Sequence, residues 1–316
     1  MSRPRSGRER VKKPPVRVRL SASNAVFVAL AVALVPAPGR ACASCGCGDP
    51  TLLSLGTEQP FGGRFRVFSE GQYRTESQGT PQDGGSSVEE WSLTFGGSYS
   101  LSRAIALSVT VPVLFRTMNQ FDLSTTHATN LGDVEAVAKF VLWRDREFAS
   151  RHLFSLLGGM RFPTAPLQYG SDGEPLNTDI QAGPGSWWGI FGVSYYGRLV
   201  GSLSLYASVL GYVPTEGRQG LKPGASGRGT LWLQLQPWNW LSLRAGTDAR
   251  LDGVWHENGE VSPDTGGFIA FFSPAVLVSP ATDWVIQLAA KIPVVNHLTG
   301  VHSEGTYASL SLVVDL

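Results

Sequence analysis

Polar and apolar residues alternate along much of this chain with a period of two. In 241–252 the odd positions carry Leu, Leu, Ala, Thr, Ala and Leu, while the even positions carry Ser, Arg, Gly, Asp, Arg and Asp. That period puts successive side chains on opposite faces of an extended strand, giving each strand one apolar and one polar or small face. Trp91, Leu93, Phe95, Gly97, Tyr99 and Leu101 alternate with Ser and Thr in the same way, and Ile105, Leu107, Val109, Val111, Val113 and Phe115 form another such row. Further rows are Val134/Ala136/Ala138/Phe140/Leu142, Leu203/Leu205/Ala207/Val209, Leu231/Leu233/Leu235, Trp284/Ile286/Leu288/Ala290/Ile292 and Ala308/Leu310/Leu312/Val314/Leu316.

The connections fall into two alternating classes. Short ones are expected near 102–103, 144–151, 198–201, 237–240 and 280–282; longer ones, rich in Gly, Ser, Asp and Pro, near 75–88, 118–130, 164–184, 214–226, 255–266 and 296–304. Five short and six long connections imply twelve strands. The sequence therefore predicts an all-β fold over residues 61–316, an antiparallel transmembrane β-barrel of about twelve strands with short periplasmic turns and longer extracellular loops. A soluble sandwich or small soluble barrel fits less well, because its apolar faces would form the core and leave an outer surface of Gly and Ser. Aromatics support the membrane reading. Trp143, Trp238, Trp240 and Trp284 mark the short-turn ends and Trp91, Trp187 and Trp255 the long-loop ends, as interfacial girdles would. Pro112, Pro163, Pro274 and Pro293 each forfeit a ladder donor and should mark a bulge or a strand end.

Composition adds an export signal. Basic residues from Arg3 to Arg19 precede the apolar run Ala25–Val35, which ends at Pro36 and Pro38 just before Ala41-Cys42-Ala43. This is signal-peptide length, well short of the about 20 apolar residues that a membrane helix needs. The expected organisation is a cleaved signal peptide at 1–43, a periplasmic segment at 44–60 and the barrel at 61–316. Residues 1–43 hold 9 of the 26 Lys and Arg and one of the 25 Asp and Glu, leaving 17 basic and 24 acidic residues, a net charge of −7. Such a chain lacks the basic footprint of a nucleic-acid binder. The partners implied are outer-membrane lipid and a small-molecule permeant; the sequence leaves the oligomeric state open.

Alternation assigns Arg64, Arg66, Glu70, Arg74, Glu90, Arg116, Asp133, Glu135, Lys139, Arg161, Arg244, Asp248, Arg250, Asp252 and Lys291 to the inward face. An Arg or Lys on the lipid face would cost about 2–4 kcal/mol at mid-bilayer. The mixed signs fit either an open polar lumen or one filled by cross-strand ion pairs. Near the amino end, Cys45 and Cys47 form a C-x-C pair among glycines. Two thiolates can hold a soft metal such as Cu(I) or Zn, although a structural zinc site wants four ligands, and an oxidising periplasm favours a disulfide. No other cofactor is indicated. An outer-membrane hydrolase would need a nucleophile, base and orienting group together, and His297, His302 and Glu304 are the one compact cluster of candidates. The sequence thus predicts no enzyme; a structural or adhesive barrel is a further class.

The segments Leu131-Gly-Asp-Val, Arg161-Phe-Pro-Thr, Gly183-Pro-Gly-Ser-Trp, Lys222-Pro-Gly and Lys291-Ile-Pro-Val with Asn296-His-Leu-Thr-Gly resemble, in this order, the landmarks of outer-membrane transporters grouped as the "MetA-pathway of phenol degradation" family. The resemblance spans most of 61–316. It implies a twelve-stranded barrel that passes small, often hydrophobic or aromatic molecules by diffusion.

Overall fold

The computed structural model describes residues 63–79, 85–120, 124–147, 150–170, 172–176, 178–262 and 265–316. The leader, its cleavage site and the Cys45/Cys47 pair lie outside the described residues. Twelve antiparallel strands form the wall: β1 (Phe65–Gln78), β2 (Ser86–Ser100), β3 (Ile105–Gln120), β4 (Thr125–Leu131 and Val134–Arg144), β5 (His152–Phe162), β6 (Trp188–Val200), β7 (Leu203–Pro214), β8 (Ser226–Trp238), β9 (Leu241–Asp252), β10 (Gly267–Phe272 and Ala275–Ala281), β11 (Trp284–Leu298) and β12 (His302–Glu304 and Tyr307–Asp315). Each pairs with its neighbours in sequence, and β12 returns to β1 with Arg66 opposite Asp315 and Tyr73 opposite Ala308, so the sheet closes into a barrel. Closure satisfies every ladder without a free edge, which is the condition for strands to cross hydrocarbon.

The four prolines fall where the ladder breaks. Pro112 faces the interruption of β4 at Gly132-Asp133 and accepts a hydrogen bond from the Gly132 N–H at 2.8 Å. Pro163 follows the end of β5, Pro274 sits between the two halves of β10, and Pro293 lies at the register shift between β10 and β11. Residues missing an N–H are thus placed where no donor is required.

The two faces of the wall separate as the alternation predicts. Leu93, Phe95, Leu107, Val109, Leu231, Leu233, Leu243, Leu288 and Leu310 are exposed on the outer surface, a band of apolar side chains suited to contact with lipid. Trp143, Trp238, Trp240 and Trp284 are exposed at the short-turn end, and Trp91 and Trp187 are exposed on the other half. Trp255 departs from expectation. It is buried, and its backbone N–H donates to the Thr265 hydroxyl at 2.8 Å, so it belongs to loop packing and not to a girdle.

Three loops expected to be irregular are largely laddered. Glu76–Gln78 pair with Ser86–Val88, Met118 and Asn119 with Thr125 and Thr126, and Glu304–His302 with Glu76–Gln78, leaving connections of only 79–85, 121–124 and 299–301. The apolar row fades there because the strands outrun the hydrocarbon. Strands of 14 to 16 residues exceed the about 9–11 that a membrane requires. Backbone pairing continues without an apolar face. The long connections are 163–187, 215–225 and 253–266. The last two meet in a small sheet of Leu221–Lys222, His256–Glu257 and Glu260–Val261.

Candidate functional site

The space inside the wall is layered. Towards the short-turn half, Phe68, Ala275, Leu277 and Val313 form a buried apolar cluster. Phe68 needs Gly96 on the neighbouring strand, since a Cβ there would lie 2.1 Å from its ring. In the long-loop half the inward residues are charged and closely paired. Arg74 donates to both oxygens of Glu90 at 2.9 and 3.1 Å and to Glu76 at 3.2 Å; Arg116 donates to Glu90 at 2.6 Å; Nε2 of His302 lies 2.8 Å from Glu76. These carboxylates and guanidiniums are almost wholly buried, a situation tolerated only with such pairing.

The inward-assigned residues occupy the following places. Glu70 accepts from the Ser311 hydroxyl at 2.7 Å, and Arg161 donates to Glu135 at 2.8 Å while lying over the rings of Trp188 and Tyr212. Arg250 pairs with Asp252 at 2.6 Å and with Glu304, which also accepts from the Tyr307 hydroxyl. Asp248 accepts from Thr230 and Ser273 at 2.7 and 2.5 Å, with Lys291 3.8 Å away. Lys139 is buried. Arg244 donates to Gln234 and Gln287, and its guanidinium lies 3.8 Å over the Trp232 ring. Arg66 makes a two-pronged contact with Asp315 at 2.6 and 2.7 Å. Arg64 sits outside β1 at the barrel rim, its side chain 39% exposed, paired with Asp283 at 3.0 Å. The cluster of His297, His302 and Glu304 is divided: His297 is exposed, whereas His302 faces Glu76 and Glu304 is held by Arg250 and Tyr307.

The largest departure from the sequence reading is the connection 163–187, expected as an outer loop. Part of it folds inward. Ala165 and Ile180 are fully buried, and Ile180 packs against Val88, Met118 and Ala128 on β2, β3 and β4. Asp133, at the break in β4, accepts from the Ala165 N–H at 3.0 Å, and Gly183 passes so close to that carboxylate that a Cβ would lie 2.5 Å from its oxygen. The Gln181 side chain ties the loop to itself through Gln168 and Leu176. From the adjoining strand β3, one nitrogen of Arg116 donates to the backbone carbonyls of Asp179 at 3.2 Å and Gln181 at 2.5 Å. Three segments of the family-like series, Leu131-Gly-Asp-Val, Arg161-Phe-Pro-Thr and Gly183-Pro-Gly-Ser-Trp, therefore meet at the base of this loop. Its length was visible in the sequence; its direction was not, and the signal that could have shown it is a bulky apolar Ile180 inside an otherwise polar connection.

A second feature is a pocket of about 270 Å³ inside the short-turn end of the barrel. Cross-strand register builds it in two rows. Tyr196, Tyr206 and Trp232 lie side by side on β6, β7 and β8, and Arg198, Ser204, Gln234 and Arg244 lie in the next row, on β6 to β9. Gly246 faces Trp232, where a Cβ would come 2.8 Å from the indole. Sequence alternation found Arg244; it missed the aromatic row, which register alone assembles.

No family model and no curated protein matches the sequence. Among solved structures, an outer membrane channel from Pseudomonas putida F1 aligns over 83% of this chain and 98% of its own, with a TM-score of 0.65 at 13% identity. The β domain of the Bordetella autotransporter BrkA (TM-score 0.44, 10% identity, 81% of this chain and 100% of that one) and a FadL homologue from Pseudomonas aeruginosa (0.41, 11%, 87% and 96%) are more distant. The closed wall, the apolar outer band and this likeness agree: the chain has the fold of a twelve-stranded outer-membrane β-barrel.

Proposed function

We propose that the protein is an outer-membrane channel that passes small molecules, hydrophobic or aromatic ones among them, by diffusion through the barrel. The observation that carries this reading is the loop 163–187, drawn into the interior and latched by the buried Arg116 on β3, two strands along the wall from β5. A barrel serving only as an anchor or adhesive platform has no need of an inward-folded loop held by a buried guanidinium. Beyond the latch the interior carries charges of both signs, paired across neighbouring strands, and the short-turn end keeps a pocket of about 270 Å³. The channel reading is supported by the shared fold of the Pseudomonas putida outer membrane channel, and a permeant with aromatic character by the ordered motifs that resemble the phenol-degradation family. A hydrolase reading has less support, since among the described residues the His297/His302/Glu304 cluster is split between the outer surface and separate ion pairs.

The reading includes export by the leader 1–43, with Ser44 as the mature amino terminus, and a periplasmic segment in which Cys45 and Cys47 form a disulfide or bind a soft metal. Mass spectrometry of membrane-extracted protein tests both, by the terminus found and by a two-dalton loss or a metal adduct. The channel itself is tested by planar-bilayer recording of the refolded protein: discrete current steps support it, and silence in the parent and in latch-free variants alike refutes it.

A further inference from the structure

We infer that one side of the short-turn rim, at the ends of β3 to β6, is a binding site for the headgroup of an anionic phospholipid of the periplasmic leaflet. The inference does not depend on the channel reading. Three neighbouring turns meet there. Nη2 of Arg144, at the end of β4, donates to the Arg103 carbonyl in turn 101–104 at 3.0 Å, and the Arg198 N–H, near the end of β6, donates to the Arg151 carbonyl at 2.7 Å. These contacts gather Arg103, Arg144, Arg146, Arg151 and Arg198 against two acids, Asp145 and Glu147. Elsewhere the rim is balanced. Arg64 and Arg66 stand beside Asp283 and Asp315, and the turn 238–241 carries no charge.

The two acids leave much of this positive charge open to a ligand. Asp145 is engaged by the backbone N–H groups of Arg151 and His152, at 2.8 and 2.9 Å, and Glu147, itself exposed, lies 3.8 Å from Arg103. Arg146 comes only within 3.6 Å of Asp145 and keeps 55% of its side chain exposed. Arg151 is also exposed, and its guanidinium has no ion pair among the described residues. Phosphate suits such groups, because a guanidinium can hold two of its oxygens through parallel charge-assisted hydrogen bonds.

The adjoining outer face selects a lipid over a soluble phosphate or an acidic peptide. Trp143, Phe154 and Tyr195 pair side by side across β4, β5 and β6, with the Tyr195 hydroxyl 2.7 Å from Nδ1 of His152 and with Leu142 and Leu199 exposed nearby. Aromatic rows of this kind sit where acyl chains give way to headgroups. Arg144 directly follows Trp143, Arg146 comes two residues later, and Arg151 directly precedes His152. A residue advances a strand by about 3.3 Å, and the headgroup layer beyond the hydrocarbon is about 5–8 Å thick. Acyl chains lying against the rings would therefore set the phosphate at the level of the arginines. A soluble anion would leave the aromatic row uncovered.

The test is native mass spectrometry of the protein extracted from outer membranes into detergent, titrated with phosphatidylglycerol and, separately, with phosphatidylcholine of the same chains. One arginine beside an anionic headgroup contributes about fivefold in affinity, so Arg146 and Arg151 together should favour phosphatidylglycerol by about 25-fold. Arg146→Gln with Arg151→Gln changes two exposed side chains, leaves the backbone bonds to Asp145 in place, and should remove that preference. Arg64→Gln with Lys222→Gln removes the same charge from the far side of the rim and from an outer loop, and should leave the preference unchanged. Added inorganic phosphate should not displace the lipid, since it lacks the chains that cover the aromatic row. The inference is overturned if the two lipids bind equally well, if both double variants lose the preference alike, or if inorganic phosphate competes on equal terms. Equal binding of the two lipids would be the result if the arginines served an acidic periplasmic protein instead.

Discussion

Removing the latch on the inward loop gives the sharpest test of how the interior is closed. Arg116 donates to the carbonyls of Asp179 and Gln181 and to Glu90. Deleting it alone would leave Glu90 with Arg74 as its remaining basic partner in a nearly dry setting, and breaking a buried pair costs about 3–5 kcal/mol, which would confuse loop release with barrel damage. The informative variant is therefore Arg116→Met with Glu90→Gln, which removes one charge of each sign and leaves Arg74 paired with Glu76. A hydrogen bond to a charged donor contributes about 1.5–3 kcal/mol net of exchange with water. Losing two loop anchors therefore favours the displaced loop by about 3–6 kcal/mol, a shift in population of about a hundredfold or more. Two measurements read that shift. In planar bilayers the variant should show larger or longer openings than the parent. In a background of Cys45→Ser and Cys47→Ser, Ile180→Cys, placed at a site only 1% exposed, should react with a soluble thiol reagent about a hundredfold faster when the latch is absent. Equal currents together with equal labelling rates, in protein that refolds normally, would refute the latch.

Other consequences follow from the same geometry. Leu231→Arg places a cation on the apolar outer face near the middle of β8 and should lower barrel stability by about 2–4 kcal/mol, read from urea unfolding in lipid vesicles; no change would put Leu231 out of the hydrocarbon. With the native cysteines replaced, Asn258→Cys, in the turn of the small loop sheet, should react with an impermeant maleimide on whole cells and Ser102→Cys should not; the opposite pattern would invert the barrel. Asp145, in the turn after β4, accepts the backbone N–H groups of His152 and Arg151 at 2.9 and 2.8 Å, and these hold its carboxyl below the usual Asp range. Because the folded-state pKa is depressed, its contribution is present above the ordinary Asp value and is lost as pH falls through the lowered one. Asp145→Asn should therefore flatten the acid limb of the thermal-stability profile, and an unchanged acid limb would show that the turn does not depend on the ionised group.

The sequence by itself determined the wall. A two-residue period is a property of neighbouring residues, so rows such as Leu241/Leu243 against Ser242/Arg244 could be assigned to opposite faces without any knowledge of partners, and the four ladder-breaking prolines followed from a missing donor. The same reasoning overstated the loops, because alternation reports lipid contact and falls silent where Glu76–Gln78 and Ser86–Val88 continue pairing beyond it. What occupies the interior was decided by tertiary structure. Which carboxylate neutralises Arg74, why Tyr206 stands beside Trp232, and how Asp133, Arg116 and Gln181 draw 163–187 inward all depend on register and closure between residues as much as 65 positions apart. A linear pattern specifies which face a side chain takes, while its partners there are set only when twelve strands close and the ladder fixes their relative heights.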